Sequence, residues 1–254
     1  MRALVRSPVR PTTPRLDHKR SFMYTPHPRP LILMFTALAL ALGAALAQTA
    51  PPADPLTDDP EAVVIVFGDT TITKAEFDQA FELAARSTAI GQGLPVDEEV
   101  LAEFEPFKAG FLEQYATQRI LAAEAHARGL AATDEDVTAV VDELRAEQPD
   151  GDAFQAWLDT AGYRDETTLR DTLAVNLSVQ AVVDDLAADI DVSSADVQAW
   201  YEANPEAVTM EDGDIVPLEA VEDEIAQLLV QEAVALEVES ITMAAGLELH
   251  PQGR

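Results

Sequence analysis

His126 and His250 are the only histidines beyond the first 47 residues, and they leave little room for side-chain catalysis. Histidine is the ordinary proton carrier near neutral pH, but it needs a nucleophile or an orienting partner to act as a base. His126 sits in a helical pattern between Glu124 and Arg128, with no such partner in the sequence. No H-x-x-x-H pair and no serine-nucleophile elbow is present. His126 therefore reads as a solvated or capping side chain. The oxygen-rich stretches Glu211-Asp212-Gly213-Asp214 and Asp150-Gly151-Asp152 could suit calcium. Neither runs on to the distant Glu that closes an EF-hand loop, so both read as solvated turns. Gly91-Gln92-Gly93 lacks a following Lys-Ser/Thr and is no phosphate loop. Acid pairs such as Asp184-Asp185 mimic a glycosidase carboxylate pair, but 46 acids in 254 residues produce such pairs by chance. There is no cysteine, which excludes disulfides, thiol catalysis, Cys-ligated zinc and a lipobox anchor. The expectation is no catalytic residue, no metal site and no cofactor.

The remaining chemistry is apolar contact. Phe107, Phe111, Tyr115, Phe154, Trp157, Trp200 and Tyr201 are the large apolar groups of the helical region. Core packing accounts for most of them. The functional reading is that some line a groove for apolar peptide segments.

Charge narrows the partners. The formal net charge is −30. Seven of the 16 Lys and Arg precede Gln48, together with a single acid, Asp17. The rest of the chain holds 9 basic and 45 acidic residues. Such a body repels phosphate backbones and anionic lipid surfaces, and it attracts basic segments. No nucleic-acid partner is expected.

The first 47 residues have the layout of a secretory signal. Basic residues lead into Leu31–Leu46, LILMFTALALALGAAL, and Ala45-Leu46-Ala47 supplies an A-x-A site. Cleavage between Ala47 and Gln48 is expected. The apolar run is shorter than the ~20 residues that span a bilayer comfortably. An uncleaved anchor is the alternative, and it is the one route to a membrane. Met1 gives a long basic region and Met23 a conventional short one; Lys19-Arg20-Ser21-Phe22 loosely resembles a twin-arginine signal.

Residues 48–60, rich in Pro, Asp, Thr and Ala, read as a flexible linker. Val63–Phe67 is a β-branched strand run, Gly68-Asp69 a hairpin signal, and Thr70-Thr71-Ile72 its return. Thr73-x-x-Glu76 is a capping box opening a helix to about Ala89. Pro106 interrupts the next acidic stretch, and a long helix follows from Phe107 to Arg128, capped by Gly129. Thr133 caps a helix that Pro149-Asp150-Gly151 ends, and a short helix stops near Gly162. Helices are expected over 166–188 and from Ser194 to Asn204. Pro217 starts a final helix reaching about Ala244, with Leu218, Val221, Ile225 and Leu228 on its buried face. Leu247-Glu248-Leu249 can return as a strand beside Val63–Phe67. The expected fold is mainly α, a helical lobe with a small β-hairpin completed by a C-terminal strand. Alanine-rich packing leaves a monomer and a homodimer with a swapped terminal helix both open.

The ordered series resembles the SurA, PrsA and PpiD group of exported chaperone–isomerases. VIVFGDTTITKAEFDQAF is similar to that group's opening pattern, LEQYATQRILAAEAHARGLAATDEDVTAVVDEL to its next helix pair, and FQAWLDTAGYRDETTLRDTLAVNLSVQAVVDDL to the pair after that. VSSADVQAWYEANPE is similar to the segment that normally precedes a parvulin isomerase domain. Here only residues 207–216 stand in that domain's place. The resemblance therefore implies one SurA-N-like chaperone domain over 61–254 without the isomerase, in the periplasm or envelope of a bacterium. It implies a non-enzymatic, ATP-independent holdase for unfolded or nascent exported polypeptides. The alternatives are an envelope adaptor with one dedicated partner, or a degenerate isomerase relative.

Overall fold

The computed structural model describes residues 56–210 and 215–254. The expected leader, its cleavage site at Ala47 and Gln48, and the whole of Glu211-Asp212-Gly213-Asp214 lie outside the described residues. The elements below are numbered over the described residues.

A three-stranded antiparallel sheet stands at one end, in the order β2-β1-β3. Strand β1, Val63–Phe67, pairs with β2, Thr70–Thr73, across the Gly68-Asp69 turn. On its other edge it pairs with β3, Glu248–Leu249, through Ile65 opposite Leu249. The ends of the described chain are thus tied together, as the sequence suggested. The Thr57 N–H also donates to the Pro251 carbonyl at 2.7 Å, and Leu56 packs on the sheet core. The last residues of the expected linker, 56–60, are therefore fastened by backbone bonds; the Ala75 N–H adds one to the Pro60 carbonyl.

Eight α-helices follow among the described residues. They are α1 Lys74–Gly91, α2 Glu98–Ala102, α3 Lys108–Arg128, α4 Asp134–Ala146, α5 Gly151–Ala161, α6 Glu166–Ala188, α7 Ser194–Ala203 and α8 Leu218–Ala244. Side-chain caps decide where several begin. Thr73 with Glu76, Thr133 with Asp136 and Ser193 with Asp196 all form complete capping boxes. Each satisfies backbone donors that the first helical turn cannot pair. Asp150, read from sequence as part of a helix end, is the N-cap of α5 and accepts from the Ala153 N–H. Its short carboxylate suits a cap better than a terminator. Pro106 sits in a 3₁₀ turn, Glu105–Phe107, just before α3. Gly129 closes α3 in the left-handed region at φ 72°, where a glycine carries no Cβ penalty.

Three apolar clusters hold these parts. The first joins the sheet (Val64, Ile65, Phe67, Ile72) to Phe77 of α1 and to Leu112, Ala116 and Ile120 of α3. The second packs α4, α5 and α6 around Val141, Leu158 and Leu169. The third joins Leu121 and Ala125 of α3, Val182 and Leu186 of α6, and Val234 and Val238 of α8. On α8 the expected buried face is only partly realised. Ile225 is buried, while Leu218, Val221 and Leu228 are half-buried. The N-terminal half of α8 meets the short helix α7, which is too small to cover that face completely.

Phe77 is fully buried where sheet, α1 and α3 meet. Phe77→Ala should lower unfolding stability by about 3–5 kcal/mol in urea denaturation. The capping aspartates set an acid-side sensitivity. Hydrogen bonds from the Thr133 hydroxyl hold the Asp136 carboxyl below its ordinary value, and those from Ser193 do the same for Asp196. A depressed folded pKa contributes stability above the unfolded pKa, and that contribution fades as pH falls through the folded one. Denaturation of wild type and of an Asp136→Asn/Asp196→Asn double variant should differ most from about pH 5 upward, with the pH-dependent part of the gap closing below about pH 3.

Candidate functional site: an apolar peptide-binding surface

The seven aromatics picked out from sequence do not form one groove. The structure divides them among three places. Phe111 and Tyr115 turn inward from α3 and join Phe77 and Phe81 of α1 in a ring cluster. The centroids of Phe111 lie 5.8 Å from Phe77 and 5.5 Å from Phe81, within the range of favourable aromatic pairing. Burial pushes the Tyr115 phenol pKa up, so it stays protonated. Phe107, one turn earlier on the same spacing, is instead 68% exposed. It lies in the 3₁₀ turn that Pro106 imposes, and the change of helical phase swings it off the α3 face.

Beside the ring cluster lies a small ionic knot. Asp78 is shared by Lys74 and Lys108, the latter at 3.0 Å, and the Lys108 ammonium also sits 5.2 Å from the Phe81 ring centre. Lys74 is buried, and a buried ammonium requires the carboxylate it has here. This knot ties α1 to the start of α3.

Phe154 is buried in the second cluster under the Arg145 guanidinium. Trp157 is half-buried and stacks between Phe154 and Tyr163 at 5.8 and 6.0 Å. Phe154 packs as core, while Trp157 is partly open to solvent. Trp200 and Tyr201 are half-buried on α7. The Tyr201 hydroxyl donates to the Val216 carbonyl at 2.7 Å, and an isolated bridge joins Thr209 to Ile215. Tyr201 therefore clamps the connection that leads from α7 to α8.

The side chains that do face solvent are mostly aliphatic, and sequence reasoning built on aromatics missed them. Leu94, Met210, Ile215, Leu236 and Met243 are all exposed, Leu236 at 67% and Met243 at 68%. A signal was present: Leu229, Leu236 and Met243 recur every seven residues on α8, in addition to the core positions Val234 and Val238. Two shallow depressions flank the same helix. One, of about 320 Å³, is lined by Phe67, Ile120, Ala123, Glu124, Ile241 and Ala244. The other, of about 560 Å³, lies between Ile190-Asp191-Val192 and Ala226, Val230 and Gln231 of α8. Both are open and largely apolar, suited to side chains of an extended or helical segment. His126 is exposed on α3 beside the Arg128–Glu124 ion pair. Among the described residues no group of three His, Asp or Glu side chains could hold a metal ion, and no helix is long and apolar enough to cross a membrane.

A mainly helical lobe with a small sheet is consistent with what the sequence comparisons find. Residues 31–183 match the SurA-like N-terminal domain family, and the chain belongs to it. Two curated relatives, each called foldase protein PrsA and from two strains of Clostridium perfringens, are 25% identical to it over 162 residues. That alignment covers 62% of this chain and 47% of each relative, so the match spans about half the length of those proteins. No solved structure matches. The family match ends at residue 183, before α7 and the segment between α7 and α8.

Tyr201→Phe removes one donor and leaves the Val216 carbonyl unpaired. It should cost about 1 kcal/mol in urea denaturation and speed proteolytic cleavage within the 208–216 connection.

Proposed function

We propose that the protein is an exported, ATP-independent holdase that binds unfolded polypeptides emerging outside the cytoplasm. The observation that carries this reading is a SurA-like helical lobe that presents large apolar side chains to solvent, Phe107, Leu236 and Met243 among them. Isolated exposed apolar residues are ordinary on a protein surface. Here two of them share one stripe of one helix, and two open apolar depressions lie along another face of the same helix, which suits transient capture of apolar segments. Exchange over such shallow sites would be fast, delaying aggregation without committing the client to one conformation.

In this reading the leader at 1–47 directs export and is removed between Ala47 and Gln48. Residues 61–254 form the chaperone domain and act without an isomerase step. The surplus of acids keeps the loaded protein soluble.

The test is light scattering of a reduced, unfolded exported protein without ATP. The full chain and the form starting at Gln48 should both suppress aggregation at near-stoichiometric ratios. A well-folded protein with no effect at several-fold excess would sink the proposal.

A further inference from the structure

The outer face of α8 carries a second pattern laid over the apolar one. Leu229, Glu232, Leu236, Glu239 and Met243 follow one another at alternating steps of three and four residues. That spacing puts all five on one stripe of an α-helix. Leu229 is half-buried, and the other four are exposed. The stripe is distinct from the Val230, Val234, Val238 and Ile241 face, which packs on α3 and α6. It therefore alternates large apolar side chains with carboxylates, and nothing among the described residues covers it.

Charge says what kind of segment fits. Helix α8 has 27 residues, seven acids and no Lys, Arg or His. None of those acids is ion-paired among the described residues. Elsewhere cations are already engaged. Seven of the nine Lys and Arg beyond residue 47 are paired with carboxylates that lie outside α8. A second copy of the chain meeting this stripe face to face would set Glu232 and Glu239 against their own kind, a like-charge arrangement that opposes pairing. A segment with large apolar side chains alternating with Lys or Arg would place a cation on each Glu and an apolar group on Leu236 and Met243.

We propose that the α8 stripe is a docking site for cationic, apolar polypeptide segments, and that this protein selects clients by charge as well as by hydrophobicity. The inference rests on the peptide-holding reading above and names its client class. Apolar contact with Leu229, Leu236 and Met243 supplies retention. The carboxylates speed encounter and reject acidic segments. Because both Glu side chains are exposed, this selectivity is screened by salt.

The experiment uses labelled 18-residue peptides and the full chain, read by fluorescence anisotropy. One peptide places Leu and Lys at helical spacing, a second has Glu for every Lys, and a third keeps the Lys but has Ser for every Leu. The Leu/Lys peptide should bind at least about tenfold tighter than the Leu/Glu peptide at low salt, with the gap shrinking to about twofold near 0.5 M salt. It should also bind tighter than the Lys/Ser peptide. Leu236→Ser/Met243→Ser and, separately, Glu232→Gln/Glu239→Gln should each weaken it by about three- to tenfold, all four positions being exposed and their loss tolerable to the fold. Glu135→Gln/Glu143→Gln on α4 should change nothing, which separates docking from general attraction to an acidic protein. Equal binding of the Leu/Lys and Leu/Glu peptides would overturn the proposal, as would binding indifferent to the α8 changes. So would a dimer in sedimentation that Leu236→Ser/Met243→Ser dissolves, since a second copy would then own the stripe. If aggregation suppression persists while charge selectivity is absent, only this inference falls. If suppression itself is absent, the holdase reading falls first.

Discussion

The structure depends on one helix being buried from two sides. Helix α3 gives Leu112, Ala116 and Ile120 to the sheet core and, one turn on, Leu121 and Ala125 to the core shared with α6 and α8. A helix so placed must be narrow, and the alanines at 116, 122 and 125 let neighbouring backbones come close. With aromatics at only 6% of the chain, no single thick core could form. Three thin clusters form instead, and α3 is the member common to two of them. The remaining one, around α4 and α5, is joined to the rest through α6.

Cations are scarce, and their placement follows that arrangement. Lys108 links α3 to α1 through Asp78, Arg128 links α3 to α6 through Asp185, and Arg145 links α4 to α6 through Glu166. Exposed ion pairs of this kind contribute little each, of the order of 0–1 kcal/mol. Their positions between elements fix angles more than they add stability. The consequence lies on α8, which carries no cation of its own and whose acids have no ion-pair partner among the described residues. The helix that seals the cluster shared with α3 and α6 thus carries seven acids and no base.

The same helix shows why apolar pattern and function are hard to separate in a sequence. Leu229, Leu236 and Met243 read as core residues by type, and their heptad spacing would suit a buried seam. Only the packing of Val234 and Val238 against α3 and α6 turns the other stripe outward. The family's ordered helix pattern was legible in part because several helix starts carry a local cap chemistry, and capping boxes such as those at Thr73 and Thr133 act within four residues.

Local chemistry, then, is what the sequence by itself determined. The helix starts at Thr73 and Thr133, the Gly68-Asp69 turn, the Pro106 interruption and the left-handed stop at Gly129 all follow from groups close together in the chain, whose backbone bonds must be satisfied wherever the segment lies. Even the return of Leu247–Leu249 to β1 was readable, since a lone central strand needs partners on both edges. What only the tertiary structure decided is which apolar residues stay outside. Phe111 and Tyr115 find the rings of α1 and turn inward, whereas Phe107, one turn away on the same spacing, is thrown out by the 3₁₀ turn. Burial depends on what another element brings to the same place, and that is a property of packing across distant parts of the chain rather than of neighbouring residues.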